Sequence, residues 1–109
     1  MPKSKTGLEL SMAADLFKVL GHPHRLAIFL RLCEQCGTSQ DRDEDAYAAC
    51  VGDLSEGLDI APSTVSHHLK ELRQAGIIRV RRNGQQVECC ANRDVVKQLS
   101  DFFAQRLCC

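Results

Sequence analysis

The chain predicts a mainly α fold with one β-hairpin wing, in the order α-α-α-α-β-β-α, forming a single domain over residues 1–109. Three observations predict it. Apolar residues recur at helical spacing in four segments ahead of Gly76 and in one after Asn92. "IIRVRR" alternates and is rich in β-branched residues, and "NG" at 83–84 joins it to "QQVECCA", which is the strongest short hairpin signal. Finally, two short helices separated by the tight turn "LDIAPS" and followed by a basic hairpin describe a winged helix-turn-helix.

Residues 8–20 are expected to form a first helix, with Ala13, Leu16, Phe17 and Leu20 on one stripe and Gly21 as its stop. Pro23 suits the first turn of a second helix carrying Leu26, Phe29, Leu30 and Cys33. The polar run "CGTSQDRDEDA" breaks the pattern and is expected to be an exposed loop. A third, short helix is expected near 50–57 with Val51 and Leu54 inward. Pro62 opens a fourth helix that reaches about Ala75, and Gly76 ends it. A last helix is expected from Arg93 to Leu107, with Val95, Val96, Leu99, Phe102 and Phe103 apolar.

Composition narrows the function classes. No apolar run is long enough to span a bilayer, and "MPKSKTG" lacks the apolar stretch of a signal peptide, so a cytoplasmic location without membrane attachment is expected. In a reducing compartment the seven cysteines should be thiols rather than a disulfide framework, which raises metal or metalloid binding and redox sensing. A domain of 109 residues buries a modest fraction of its surface, so a partner chain would help it. The net charge is zero, but the charge is segregated. From Glu34 to Asp59 the acids Glu34, Asp41, Asp43, Glu44, Asp45, Asp53, Glu56 and Asp59 stand against one base, Arg42, whereas from Ser63 to Gln86 the bases Lys70, Arg73, Arg79, Arg81 and Arg82 stand against one acid, Glu71. Such a local basic stripe can meet phosphates even on a neutral chain.

The fourth helix divides into two faces. Val65, Leu69 and Leu72, with His68 among them, should point to the core. Ser63, Ser66, His67 and Lys70 share another face, with Thr64 beside them at the helix start. Small hydroxyls and an imidazole can approach base edges there, while Lys70 can reach a phosphate. A solvated helix face would carry similar residues, but it would not sit between a tight turn and a basic hairpin. Arg79, Arg81 and Arg82 suit a wing that grips the DNA backbone or a minor groove. The expected partner is double-stranded DNA, and no enzyme activity is expected.

"LGHPHRLAIF", "STVSHHLKELRQAGII" and the hairpin around "RRNGQQVE" closely resemble the ArsR/SmtB family of metal- and arsenic-responsive transcriptional repressors, over about Met12 to Cys109. The resemblance implies a homodimer, paired through the first and last helices, that binds a palindromic operator and leaves it when an inducer binds. One arsenic site of the family uses Cys-Val-Cys-Asp-Leu-Cys in the third helix. Here the segment is "CVGDLS", which keeps only Cys50. A zinc site of the family uses His and carboxylates on the last helices, and the last helix here has no His. A third subset carries a cysteine at the end of the wing and a cysteine pair after the last helix. Cys90, Cys108 and Cys109 match that spacing, with Cys89 an alternative ligand one residue away.

The resemblance therefore implies trivalent arsenic as inducer, either arsenite or a monomethylated arsenical, with antimonite an alternative. About 15 helical residues between the two cysteine pairs span roughly 22 Å, so Cys90 and Cys108 of one chain cannot share one atom. An antiparallel partner helix would bring Cys90 beside the partner copy's closing pair, and three soft thiolates suit a thiophilic centre. Two other readings stand beside this one. One is a repressor of the same fold that senses oxidant or reactive sulfur. The other is a thiol oxidoreductase using Cys33 and Cys36, although no general base or substrate pocket is legible near them.

Overall fold

The computed structural model describes residues 8–37 and 49–107. The described elements are α1 (Leu10–Leu20), α2 (Pro23–Gly37), β1 (Ala49–Cys50), α3 (Val51–Leu58), α4 (Pro62–Gln74), β2 (Ile78–Asn83), β3 (Gln86–Ala91) and α5 (Arg93–Ala104). Of the expected loop over residues 36–46, residues 38–46 lie outside the described residues, and Cys36 and Gly37 close α2. No described helix is long and apolar enough to cross a membrane.

α1 buries Ala13, Leu16 and Leu20, and Phe17 packs at their edge. His22 sits in the turn that follows, and its Nδ1 accepts the backbone N–H of His24 at 3.1 Å. That N–H belongs to the first turn of α2, so the imidazole caps a donor that a helix start leaves orphaned. α2 buries Ile28, Phe29 and Leu32, while Leu26 and Leu30 are exposed. The expected stripe is therefore corrected. Ile28 and Leu32 form one i, i+4 row and Phe29 and Cys33 the adjacent one, and Leu26 and Leu30 are rotated away from that seam.

Two bonds between the same residues fix the helix-turn-helix corner. Ser55 Oγ donates to the Ile60 carbonyl, and the Ile60 N–H returns to the Ser55 carbonyl at 3.1 Å. Asp59 takes φ of 56° in the turn, a conformation that a short polar side chain tolerates. At the other end of α4 the Gly76 N–H reaches the Arg73 carbonyl at 2.9 Å and the Ile77 N–H reaches Leu72 at 3.0 Å, with Gly76 at φ of 77°. This is a Schellman cap, closed by the buried pair Leu72 and Ile77. It explains why the helix stops where Gly76 stands.

The sheet has the order β1-β3-β2 and is antiparallel throughout. The third strand, β1, was not expected. It pairs Ala49 with Cys89 and Cys50 with Glu88, so the residue at which the third helix was expected to begin is a strand residue and α3 starts at Val51. In the wing Asn83 pairs with Gln86, which leaves Gly84 and Gln85 as the two loop residues rather than Asn83 and Gly84. Gly84, at φ of 67°, then occupies the first central position, where glycine is the natural choice. The register seats Ile78 against Ala91 at the base of the hairpin, and both are buried.

Asn92 fastens the base of the wing to α5. Its Oδ1 accepts the Asp94 N–H at 3.1 Å as an N-cap, and its Nδ2 donates to the Gly76 carbonyl at 2.9 Å. α5 ends at Ala104, short of the expected Leu107. Arg106 turns back, donating from Nη1 to the Phe102 carbonyl at 2.9 Å with its guanidinium 4.0 Å from the centre of the Phe102 ring. One hydrophobic core joins α1, α2, α3, α4, the sheet and Leu99 of α5.

Candidate functional site

Helix α4 presents the two faces its spacing predicted. Val65, His68, Leu69 and Leu72 are buried. Ser63, Ser66, His67 and Lys70 are exposed on the other side, and Thr64 is half-buried at the helix start. Pro62 stands in the first turn and Ala61 offers no side-chain cap, so the helix start has no side-chain acceptor there. A shallow groove of about 470 Å³ separates this face from the wing, lined by Val51, Gly52 and Asp53 of α3, Ser66, and Gln85, Gln86 and Val87. Gln85 and Gln86 had been read only as strand residues. Their place beside a two-residue turn was the available signal that they flank the reading face.

The wing arginines differ from one another. Arg79 and Arg81 lie on the outer face of the hairpin, opposite Cys90 and Glu88. Arg81 Nε donates to Glu88 Oε1 at 2.9 Å in a half-buried ion pair. Arg79 stands 3.9 Å from Asp94 in an exposed pair, the kind that contributes little to stability. Arg82 is exposed near the tip.

The thiols are separated by the pleat. Cys89 is fully buried in the core, and Cys90 is half-buried on the outer face, two residues before the N-cap of α5. Cys108 and Cys109 lie outside the described residues. Cys33 packs half-buried against the core, and the side chains of Cys36 and Cys50 lie outside the described part. Burial, followed by the like charges of His22, Arg25, His67 and His24, pushes the His68 imidazole below the ordinary histidine range.

A helix-turn-helix domain family matches residues 20–81. The chain is 36% identical over 72 residues to an uncharacterized HTH-type transcriptional regulator, MJ1325, of Methanocaldococcus jannaschii, covering 66% of this chain and 68% of that one. It is 33% identical over 78 residues to the HTH-type transcriptional repressor SmtB of Mycobacterium tuberculosis, covering 72% of this chain and 49% of the relative, so it spans about half that protein's length. Its fold is similar to the homodimeric winged helix-turn-helix DNA-binding domain Mb0332 of Mycobacterium bovis, a possible ArsR-family regulator, with a TM-score of 0.64 at 20% identity over 88% of this chain and 79% of that one. These relatives are transcriptional regulators, not enzymes. With the capped turn, the two-faced α4 and the basic wing in place, the chain belongs to the ArsR/SmtB type of winged helix-turn-helix, DNA-binding transcriptional regulators.

Proposed function

We propose that the chain is a homodimeric repressor that binds a two-fold symmetric operator and releases it on binding trivalent arsenic at Cys90, Cys108 and Cys109. The split of Cys89 from Cys90 carries this reading. Only Cys90 faces outward at the foot of α5, and the closing cysteine pair follows Leu107 beyond the other end of that helix. The 12 residues of α5 advance about 18 Å, too far for one chain to close three thiolates on one atom. An antiparallel partner helix brings the two ends together. Surface for that pairing exists: Leu10 is 73% exposed, Met12 53%, Phe103 55% and Leu107 75%. The M. bovis domain of the same fold is homodimeric.

In this reading the metal-free protein is the DNA-binding form. Ser63, Thr64, Ser66 and His67 approach base edges in the major groove, Lys70 meets a phosphate, and Arg79, Arg81 and Arg82 hold the flanking backbone. Operator release followed by fluorescence anisotropy tests it, with arsenite, a monomethylated trivalent arsenical, antimonite, zinc, cadmium and peroxide in separate arms. Arsenite should release the DNA, and Lys70→Ala should weaken metal-free binding on every sequence and flatten the salt dependence by about one phosphate contact. Release by peroxide alone would favour the redox-sensing alternative, which uses the same thiols. The oxidoreductase alternative has less support, since Cys33 is packed against the core.

A further inference from the structure

We propose that His22, His24 and His68 form a second ligand site, for a divalent transition-metal cation of the zinc type, that ties the α1–α2 turn to the recognition helix. One ligand nitrogen from each of the three side chains lies within 4.8 Å of the other two. The rings crowd together, with centroids 4.5 Å apart for His22 and His68 and 5.6 Å for His24 and His68. A tetrahedral ion with bonds of 2.0–2.1 Å needs nitrogens roughly 3.4 Å apart. Rotation of the two exposed imidazoles, His22 and His24, can close that gap around the fixed third one.

Ordinary structural roles explain part of this cluster. His22 caps α2, and His68 fills a core position. They leave one atom unexplained. His68 is only 5% exposed, and its Nδ1 is buried with no hydrogen-bond partner. A buried nitrogen without a partner is destabilising, and a metal ion can satisfy a lone pair there. Coordination by His22 displaces its capping bond, whose donor is exposed and can turn to water. The positive charge of Arg25 acts on the His68 imidazole and weakens the site for any cation. Three neutral nitrogens with an open side select a borderline ion such as Zn²⁺, and the site is chemically distinct from the soft thiolate centre.

The test uses the full chain, stripped with chelator and titrated with Zn²⁺ and with Co²⁺. Cysteine-bound Co²⁺ carries an intense thiolate charge-transfer band, whereas histidine-bound Co²⁺ does not. We expect one ion per chain without that band, and perturbation of the ring nitrogens of His22, His24 and His68 in imidazole ¹⁵N spectra. His22→Asn keeps a side chain able to cap α2, and His24→Asn changes an exposed residue, so neither threatens the fold. Each should weaken this ion at least about tenfold while leaving thiolate-bound metal unchanged. His68→Gln should do the same, with circular dichroism confirming that it folds. Unchanged stoichiometry and affinity in the His22→Asn/His24→Asn double variant would overturn the proposal. So would ¹⁵N shifts that spare His68, which would mark only casual binding by two surface histidines.

Discussion

Cys89 and Cys90 are adjacent in sequence, yet the pleat of β3 gives them different environments. Cys89 shares its face with Val80, packs in the core and has no exposure. Cys90 faces Arg79 on the outer side. Cys89→Ser puts a more polar group into the core and should lower stability by roughly 1–3 kcal/mol in denaturant unfolding. Its folded fraction should still respond to arsenite. Cys90→Ser should melt close to the parent chain but lose response to arsenite more than to a monomethylated arsenical. Inorganic arsenic can take three thiolates, whereas the methylated form has one position filled by carbon and needs two. A full arsenite response in Cys90→Ser would remove it from the site. That the two cysteines point to opposite faces follows from strand alternation and was legible in the sequence, whereas the packing of the fold shows that Cys89 is the inner one. That Arg81 is held by Glu88 was not, because cross-strand pairing depends on the register that the turn sets. The meeting of His22 and His24 with His68 was likewise out of reach, since it needs the fold to bring residues more than forty positions apart together.

At the scale of elements, α5 has two apolar sides. Leu99 and Phe102 are buried against the domain, while Phe103 is exposed, with its ring tilted against that of Phe17 at 5.4 Å between centres. A helix that is apolar beyond its buried face calls for another helix to cover it. Phe103→Glu should therefore weaken self-association at least tenfold, about 1.4 kcal/mol, in sedimentation equilibrium, with little change in the circular dichroism of the monomer. If the variant and the parent chain sediment alike at every concentration, pairing does not run through this face. Elements with strong local signals were legible: Pro62 at the start of α4, Gly76 at its end, and the alternating arm of β2. β1 was not, because its two residues carry no periodicity and exist as a strand only by pairing with β3 some forty residues later. The loop of the wing fell one residue beyond the Asn-Gly dipeptide. Composition marks that a turn exists, but strand pairing decides which residues form it.

The whole molecule keeps its two proposed tasks apart. In the proposed reading the α4 face meets base edges, whereas the thiol centre lies at the foot of α5 beside Arg79 of the wing, so an inducer there does not occupy the base-reading surface. It must act on the equilibrium between dimer arrangements, favouring a spacing of the two α4 helices that misfits successive major grooves. A ligand shifts such an equilibrium only by its difference in affinity for the two states. Coupling of this kind is typically about 1–3 kcal/mol, or 5- to 150-fold. The reverse effect must then be of the same size. Arsenite titrated calorimetrically into the operator complex should bind more weakly than into the DNA-free dimer, by the factor with which arsenite weakens the operator. Measuring both arms at one salt concentration is essential, since the basic stripe from Lys70 to Arg82 makes the DNA term salt-dependent. Equal arsenite affinity with and without operator would exclude allosteric release. Any loss of DNA binding would then have to come from damage to the reading face itself, and the parent protein would not recover its operator when arsenite is removed by a competing dithiol.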